Sequence, residues 1–174
     1  EGLYSFEYKL PSYLIGQPIE DGKALVLMEI TVTDLAEHEQ KVAKQLLVTN
    51  HLLDVVAIPE SGEVIPDVWN YFYLFVSDPT GTAVGGTLKL TVNGAELEDD
   101  EVTMPVTGPA KIALLPHAGT LKLDVEAKDG QGNTATRSFD FSVGENEANV
   151  LLRTDRALYK VGDTVTIDAY ITGG

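Results

Sequence analysis

The chain has no cysteine, only 12 Lys and Arg in 174 residues, three His, two Met and one Trp. Without cysteine there is no thiol catalysis, no Cys-ligated zinc, no disulfide and no thioester chemistry within these residues. An extracellular setting stays open, because many secreted bacterial proteins fold without disulfides. So few basic residues exclude nucleic acid as a partner, since a polyanion requires clustered Lys and Arg. The 27 Asp and Glu give a formal net charge of −15, which also argues against anionic membrane surfaces. No apolar run approaches the roughly 18 residues of a membrane span, so membrane insertion is not expected. The charged start Glu1-Gly2 does not read as a signal peptide.

What is present is 44% hydrophobic residues, enough to fill a core. They alternate at period two, as half-buried strands do, and helical periodicity is almost absent. The clearest runs cover residues 25–32, 71–76, 88–92, 121–127 and 139–143, with strand-like spacing also over 52–58, 110–115, 150–152 and 165–171. Turn clusters separate them: Pro59-Glu60-Ser61-Gly62, Asp78-Pro79-Thr80-Gly81, Asn93-Gly94 and Asp129-Gly130-Gln131-Gly132-Asn133. Short strands with a turn about every 8–12 residues predict an all-β, antiparallel, immunoglobulin/fibronectin-III-like β-sandwich. Residues 35–45 are rich in helix formers and also admit a short helix.

An internal repeat favours strand there. A shift of 95 positions lays Met28, Ile30 and Val32 on Leu123, Val125 and Ala127, and Asp34 on Asp129. It also lays Leu46 on Phe141, Val55 on Val150 and Phe72 on Ile167. Such a period fits one immunoglobulin-sized sandwich. The expected map is therefore residues 1–50 as the closing part of one unit and 51–145 as a complete unit of seven candidate strands. Residues 146–174 are then the opening strands of the next. Two strands alone are marginal in water, so these last strands are expected to pack with the N-terminal segment. That packing arises within one chain or in a dimer through the truncated end strands.

The most specific string runs Leu151-Leu152-Arg153-Thr154-Asp155-Arg156-Ala157-Leu158-Tyr159-Lys160-Val161-Gly162-Asp163-Thr164-Val165. In it a strand ends at Thr154-Asp155 and Tyr159 is expected to plug the sandwich end. Gly162 permits a turn, and Asp163 can bond backbone amides. This string resembles the opening of a macroglobulin domain of the alpha-2-macroglobulin and complement family. The resemblance covers roughly residues 23–174 and is strongest over 149–165. It departs at Val161, where many members carry Pro, and over 101–111, which lacks an Asp-x-x-Gly-x-Ala turn. The family traps proteases: a bait segment is cleaved, the domain ring collapses around the attacker, and in many members a thioester captures it. With neither Cys nor a bait-like insertion, the resemblance implies scaffold, upstream of the reactive elements of a bacterial protease inhibitor. Its partners would be neighbouring macroglobulin domains of the parent chain and, through the whole parent, target proteases. The implied location is extracellular or at the cell envelope.

No residue pattern points to catalysis, a cofactor or a metal, so the expectation is a non-enzyme with no catalytic, cofactor or metal residues. His38, His51 and His117 lack a partner at catalytic or metal-binding spacing. Glu96-Leu97-Glu98-Asp99-Asp100-Glu101 reads as a solvated loop or as a weak calcium site, without the alternation of an EF-hand. The 129–133 stretch reads as a hairpin connection rather than a calcium loop. Gly144-Glu145-Asn146-Glu147 is an acidic linker without the companion motif of a cadherin-type site. Ser61 is not a nucleophile elbow. Trp69, Tyr71 and Tyr73 are expected to share one face in the core, or else to form an aromatic surface for a carbohydrate or protein. The competing functional class is an immunoglobulin-like adhesion or stalk repeat, stiffened by calcium. A carbohydrate-binding accessory module is a third.

Overall fold

The computed structural model describes residues 5–11, 13, 15–19, 22–117, 119–144 and 148–173. Every regular element among them is a β-strand. The chain divides into two units, Glu1–Leu52 and Leu53–Gly174.

The first unit holds an antiparallel sheet of β1 (Gln17–Ile19), β2 (Lys23–Thr33) and β3 (Glu39–Thr49), in that order. The stretch that admitted a helix is strand from Glu39 onward. An Asp-gated turn causes this. Asp34 Oδ1 accepts the backbone N–H of Ala36 at 2.8 Å and of His38 at 3.0 Å, and Glu37 takes a φ of 63°. The carboxylate closes a tight turn, and the left-handed backbone at Glu37, which a right-handed helix cannot contain, reverses the chain into a hairpin.

The second unit is an antiparallel β-sandwich of two four-stranded sheets. One runs β4 (Asp54–Pro59), β5 (Asn70–Ser77), β9 (Ala110–Pro116), β7 (Ala95–Leu97). The other runs β11 (Thr134–Ser142), β10 (Thr120–Asp129), β6 (Gly86–Asn93), β8 (Glu101–Met104). Their inner faces interdigitate around Phe72, Leu74, Leu88, Leu114, Leu121, Leu123 and Val125, all almost completely buried. Phe72 meets Phe141 edge-on with ring centroids 5.1 Å apart. This is the immunoglobulin-like all-β sandwich that the alternation predicts.

Two details differ from the expected map. Among the described residues the sandwich has eight strands where seven are expected, and two of the eight, 95–97 and 101–104, fall outside every run of alternation. Their outward acidic side chains disguise them as loop. β11 also begins at Thr134 rather than near 139, since polar residues occupy its outer face.

β12 (Asn149–Thr154) and β13 (Ile167–Thr172) form a separate antiparallel hairpin in the second unit. Its register repeats that of β4–β5 with a constant offset of 95. Asp54↔Ser77 through Pro59↔Phe72 becomes Asn149↔Thr172 through Thr154↔Ile167. The β2–β3 register repeats that of β10–β11 in the same way, Leu25↔Leu47 matching Thr120↔Ser142 and Thr33↔Glu39 matching Lys128↔Thr134. The turns agree too: Asp129 Oδ1 accepts Gln131 N–H at 2.9 Å and Asn133 N–H at 2.8 Å. The acidic linker lies, beyond Gly144, outside the described residues, as does Glu1-Gly2.

Candidate functional site

The chemistry of the second unit concentrates where β12 meets the sandwich. Leu151, 3% exposed, packs with Ile65 and Val68 from the β4–β5 connection. Buried Asn70 shapes that connection. Its Oδ1 accepts Ile65 N–H at 2.9 Å, and its Nδ2 donates to the carbonyls of Ile65 and Val68 at 2.8 and 2.7 Å. All the strong polar groups of this buried amide are used, so the loop is held as a fixed platform.

Two residues beyond Leu151 on the same face stands Arg153. Its Nε donates to Glu60 Oε2 at 2.8 Å and its Nη2 to Glu60 Oε1 at 2.5 Å. Nη2 also donates to the Trp69 carbonyl. The guanidinium carbon lies 4.0 Å from the Tyr71 ring centroid and 4.9 Å from that of Tyr170. Glu60 Oε1 accepts the Tyr71 backbone N–H at 2.7 Å. The two side chains of the pair are 14% and 11% exposed, so the forked contact is largely desolvated. Hydrogen bonding to Glu60 pushes the Arg153 guanidinium above its ordinary value, which locks its charge. Lys111 Nζ sits 3.3 Å from the Tyr71 centroid, so Tyr71 carries a cation at each of two contacts.

Beside this joint opens a cleft of about 690 Å³, lined among others by Asp67, Trp69, Tyr71, Glu98, Arg153 and Tyr170. The structure thus brings Trp69 and Tyr71 together, but on the outer face. The core expectation for Tyr71 and Tyr73 is wrong: Phe72, Leu74 and Val76 take the inner face of β5. Period two allowed either assignment. The residues with polar tips turn outward and the purely apolar ones inward. Tyr73 lies farther along the strand and lines a different cleft with Glu60 and Lys111.

Tyr159 does not plug the sandwich end. Its hydroxyl donates to Asp155 Oδ1 at 2.5 Å and accepts Arg156 N–H at 3.1 Å, tying the β12–β13 loop to itself. Gly162 takes a φ of 93°, and Asp163 Oδ2 accepts Lys160 N–H at 2.9 Å, as the turn chemistry predicts.

The acidic run is divided between elements. Glu96 and Leu97 pair with β9, Glu101 opens β8, and Glu98, Asp99 and Glu101 line a cleft of about 260 Å³ with Lys111. Among the described residues no group of three or more His or carboxylate side chains is arranged to hold a metal ion. His38 is a turn residue with Nδ1 3.0 Å from Asp34 Oδ2, His51 follows β3, and the His117 backbone N–H donates to the Gly94 carbonyl at 2.8 Å. Ser61 donates its hydroxyl to the Glu63 carbonyl.

Sequence reasoning passed over the Glu60–Arg153 pair, placing Glu60 in a turn and Arg153 inside a motif. No local signal marked it: at the 95-residue offset Arg153 falls on Ile58, an outward position where a cation is ordinarily solvated.

Fold and joint together define an immunoglobulin-like β-sandwich with a second hairpin clamped to its outer face. No protein-family model matches the chain, and no curated protein matches it. Among the described residues no helix is long and apolar enough to cross a membrane.

Proposed function

We propose that the chain is a non-catalytic scaffold segment of a bacterial alpha-2-macroglobulin-like protease inhibitor, secreted or held at the cell envelope. The recurrence of two hairpin registers at a common offset of 95 residues carries the reading. It is the signature of tandem sandwiches, and the macroglobulin-like string over 151–165 falls on the second copy of the opening hairpin. The desolvated Arg153–Glu60 clamp supports a structural role, because it fixes that hairpin on its neighbour. The partners are then adjacent macroglobulin domains of the parent and, through the whole parent, the proteases it encloses.

The test compares the parent protein with the 174-residue chain against several unrelated proteases. A protease enclosed by a collapsed ring loses access to protein substrates. The parent is expected to suppress cleavage of a protein substrate, and the chain alone to leave it unchanged. Inhibition by the chain alone overturns the scaffold role; a parent without effect overturns the protease-trap reading. An adhesion stalk would share the tandem sandwiches. A clear rise in melting temperature with calcium, reversed by chelator, favours that alternative.

A further inference from the structure

The acid that receives Arg153 belongs to a receptor that the chain builds twice. In the first copy Glu60 donates its backbone N–H to the Tyr71 carbonyl at 2.8 Å and takes the Tyr71 N–H on Oε1 at 2.7 Å. In the second, 95 residues on, Asp155 donates to the Thr166 carbonyl at 3.1 Å and takes the Thr166 N–H on Oδ1 at 3.1 Å. Both times a guanidinium bridges this acid and a carbonyl at the same offset. Arg153 donates from Nε and Nη2 to Glu60, and from Nη2 to the Trp69 carbonyl. Arg156 donates from Nε to Asp155 Oδ2 at 3.3 Å, and from Nη2 to the Thr164 carbonyl at 3.3 Å. An aromatic ring completes each site. The guanidinium carbon lies 4.0 Å from the Tyr71 centroid in the first copy and 4.7 Å from that of Tyr159 in the second.

The two arginines reach equivalent receptors from different places. Arg153 comes from the following hairpin, 93 residues after its acid, whereas Arg156 is the residue next to its own acid. Where the second copy has Arg156 the first has Ser61, whose hydroxyl turns back to the Glu63 carbonyl and leaves Glu60 to Arg153. Asp163 Oδ2, at 3.5 Å from Nη1, helps to hold Arg156 in place. We infer that the residue after the receptor acid gates the joint. Ser61 leaves the first receptor open to the arginine of an adjoining hairpin, and Arg156 closes the second from within. The ligand class of both is a guanidinium, because an acid beside a carbonyl takes several N–H groups of one rigid fork. A hairpin that docks by an arginine therefore finds the second receptor occupied and has to displace Arg156. That plug is held loosely: the Arg156 side chain is 51% exposed, against 14% for Arg153.

Exchanging the gates in the 174-residue chain tests this, with readouts that do not depend on protease inhibition. Ser61→Arg sets a competing guanidinium at the Glu60 receptor. It is expected to accelerate amide exchange in β12 and β13 several-fold, as Arg153→Ala does, and to leave β10 unchanged. Ser61→Gln, a long side chain without charge, should exchange like the wild type. In the second copy Arg156→Gln opens the receptor. Methylguanidinium, titrated well below denaturing concentrations, should then shift the Thr166 amide resonance saturably in Arg156→Gln and not in the wild type, and methylammonium should shift it less. Unchanged protection of β12–β13 in Ser61→Arg overturns the inference. So does equal release by Ser61→Gln, which would assign the effect to the lost Ser61 hydroxyl. A Thr166 response to methylguanidinium that is the same in Arg156→Gln and wild type overturns it as well.

Discussion

In β4–β5 the side chains of Val55, Phe72, Leu74 and Val76 are buried, while Val56, Ile58 and Phe75 are 49%, 48% and 42% exposed. In β12–β13, which pairs in the same register, Val150, Ile167 and Ile171 are exposed and Leu151 is buried. Two hairpins of one design thus bury opposite faces. Alternation gives a strand two usable faces, and the surface available to each decides which is covered. For β4–β5 that surface is the facing sheet of the sandwich. For β12–β13 it is the platform of Ile65 and Val68, with Glu60 receiving Arg153. The second arrangement leaves the sandwich-type face of β12–β13 exposed.

The sharpest test of this inversion sets Phe72→Ala against Ile167→Ala, the same position in the two hairpins. Phe72 is fully buried against Phe141, so its truncation is expected to cost about 3–5 kcal/mol. Ile167, 58% exposed, should change stability by no more than about 0.5 kcal/mol. Urea unfolding at low protein concentration measures both. Equal losses would show that the two hairpins are buried alike.

On the other face the ranking reverses. Leu151→Ala removes a buried side chain from a small cluster and should cost about 2–3 kcal/mol, against no more than about 0.5 for Val56→Ala. The loss should appear first as faster amide exchange in β12 and β13, since the hairpin can open without the sandwich unfolding. Exchange that accelerates equally in β10 would mean the hairpin and sandwich open as one unit.

Arg153→Ala follows, with an expected cost of about 2 kcal/mol, between exposed and fully buried ion pairs, because Glu60 is left without its cation. Ile58→Ala, the counterpart, should be close to neutral. Arg153→Lys should recover part of the loss, since an ammonium keeps the charge but not the fork. Full recovery would show that charge alone, without geometry, holds the hairpin.

The strands, their turns and the repeat were legible in the sequence because period-two alternation and Asp- or Gly-bearing turns are local signals. The site was less so. Tyr71 and Tyr73 lie on a strand apolar on both faces, and only the competition with Phe72 and Leu74 for the interior settles their direction. The Glu60–Arg153 pair joins residues 93 apart in sequence, and nothing local marks either as the other's partner. β7 and β8 were hidden because each is short and shares an acid with the 96–101 run, although Ala95, Leu97, Val102 and Met104 pack on or in the core. The inversion itself could not be read from pattern, since both hairpins carry the same alternation.

The smallest expected effect concerns the turns that close these ribbons. The Asn133 side-chain amide, with backbone N–H groups beside it, holds the Asp129 carboxyl below its ordinary value of 3.8. The Tyr159 hydroxyl and the Thr166 backbone N–H do the same for Asp155. A carboxyl lowered in the folded state contributes stability that is fully present above its unfolded value. That contribution is lost as pH falls through the lower folded value. Stability should therefore decline as the solution is acidified below about pH 4. The two aspartates should differ in what they destabilise. Asp129→Asn is expected to flatten the acid limb of the urea midpoint for the whole sandwich, because Asp129 closes the turn of β10–β11, whose inner face belongs to the sandwich core. Asp155→Asn should leave that midpoint unchanged and flatten only the acid dependence of amide exchange in β12–β13, whose loop it pins. If Asp155→Asn shifts the midpoint as much as Asp129→Asn, the second hairpin unfolds together with the sandwich, and the difference between the two ribbons is one of burial alone.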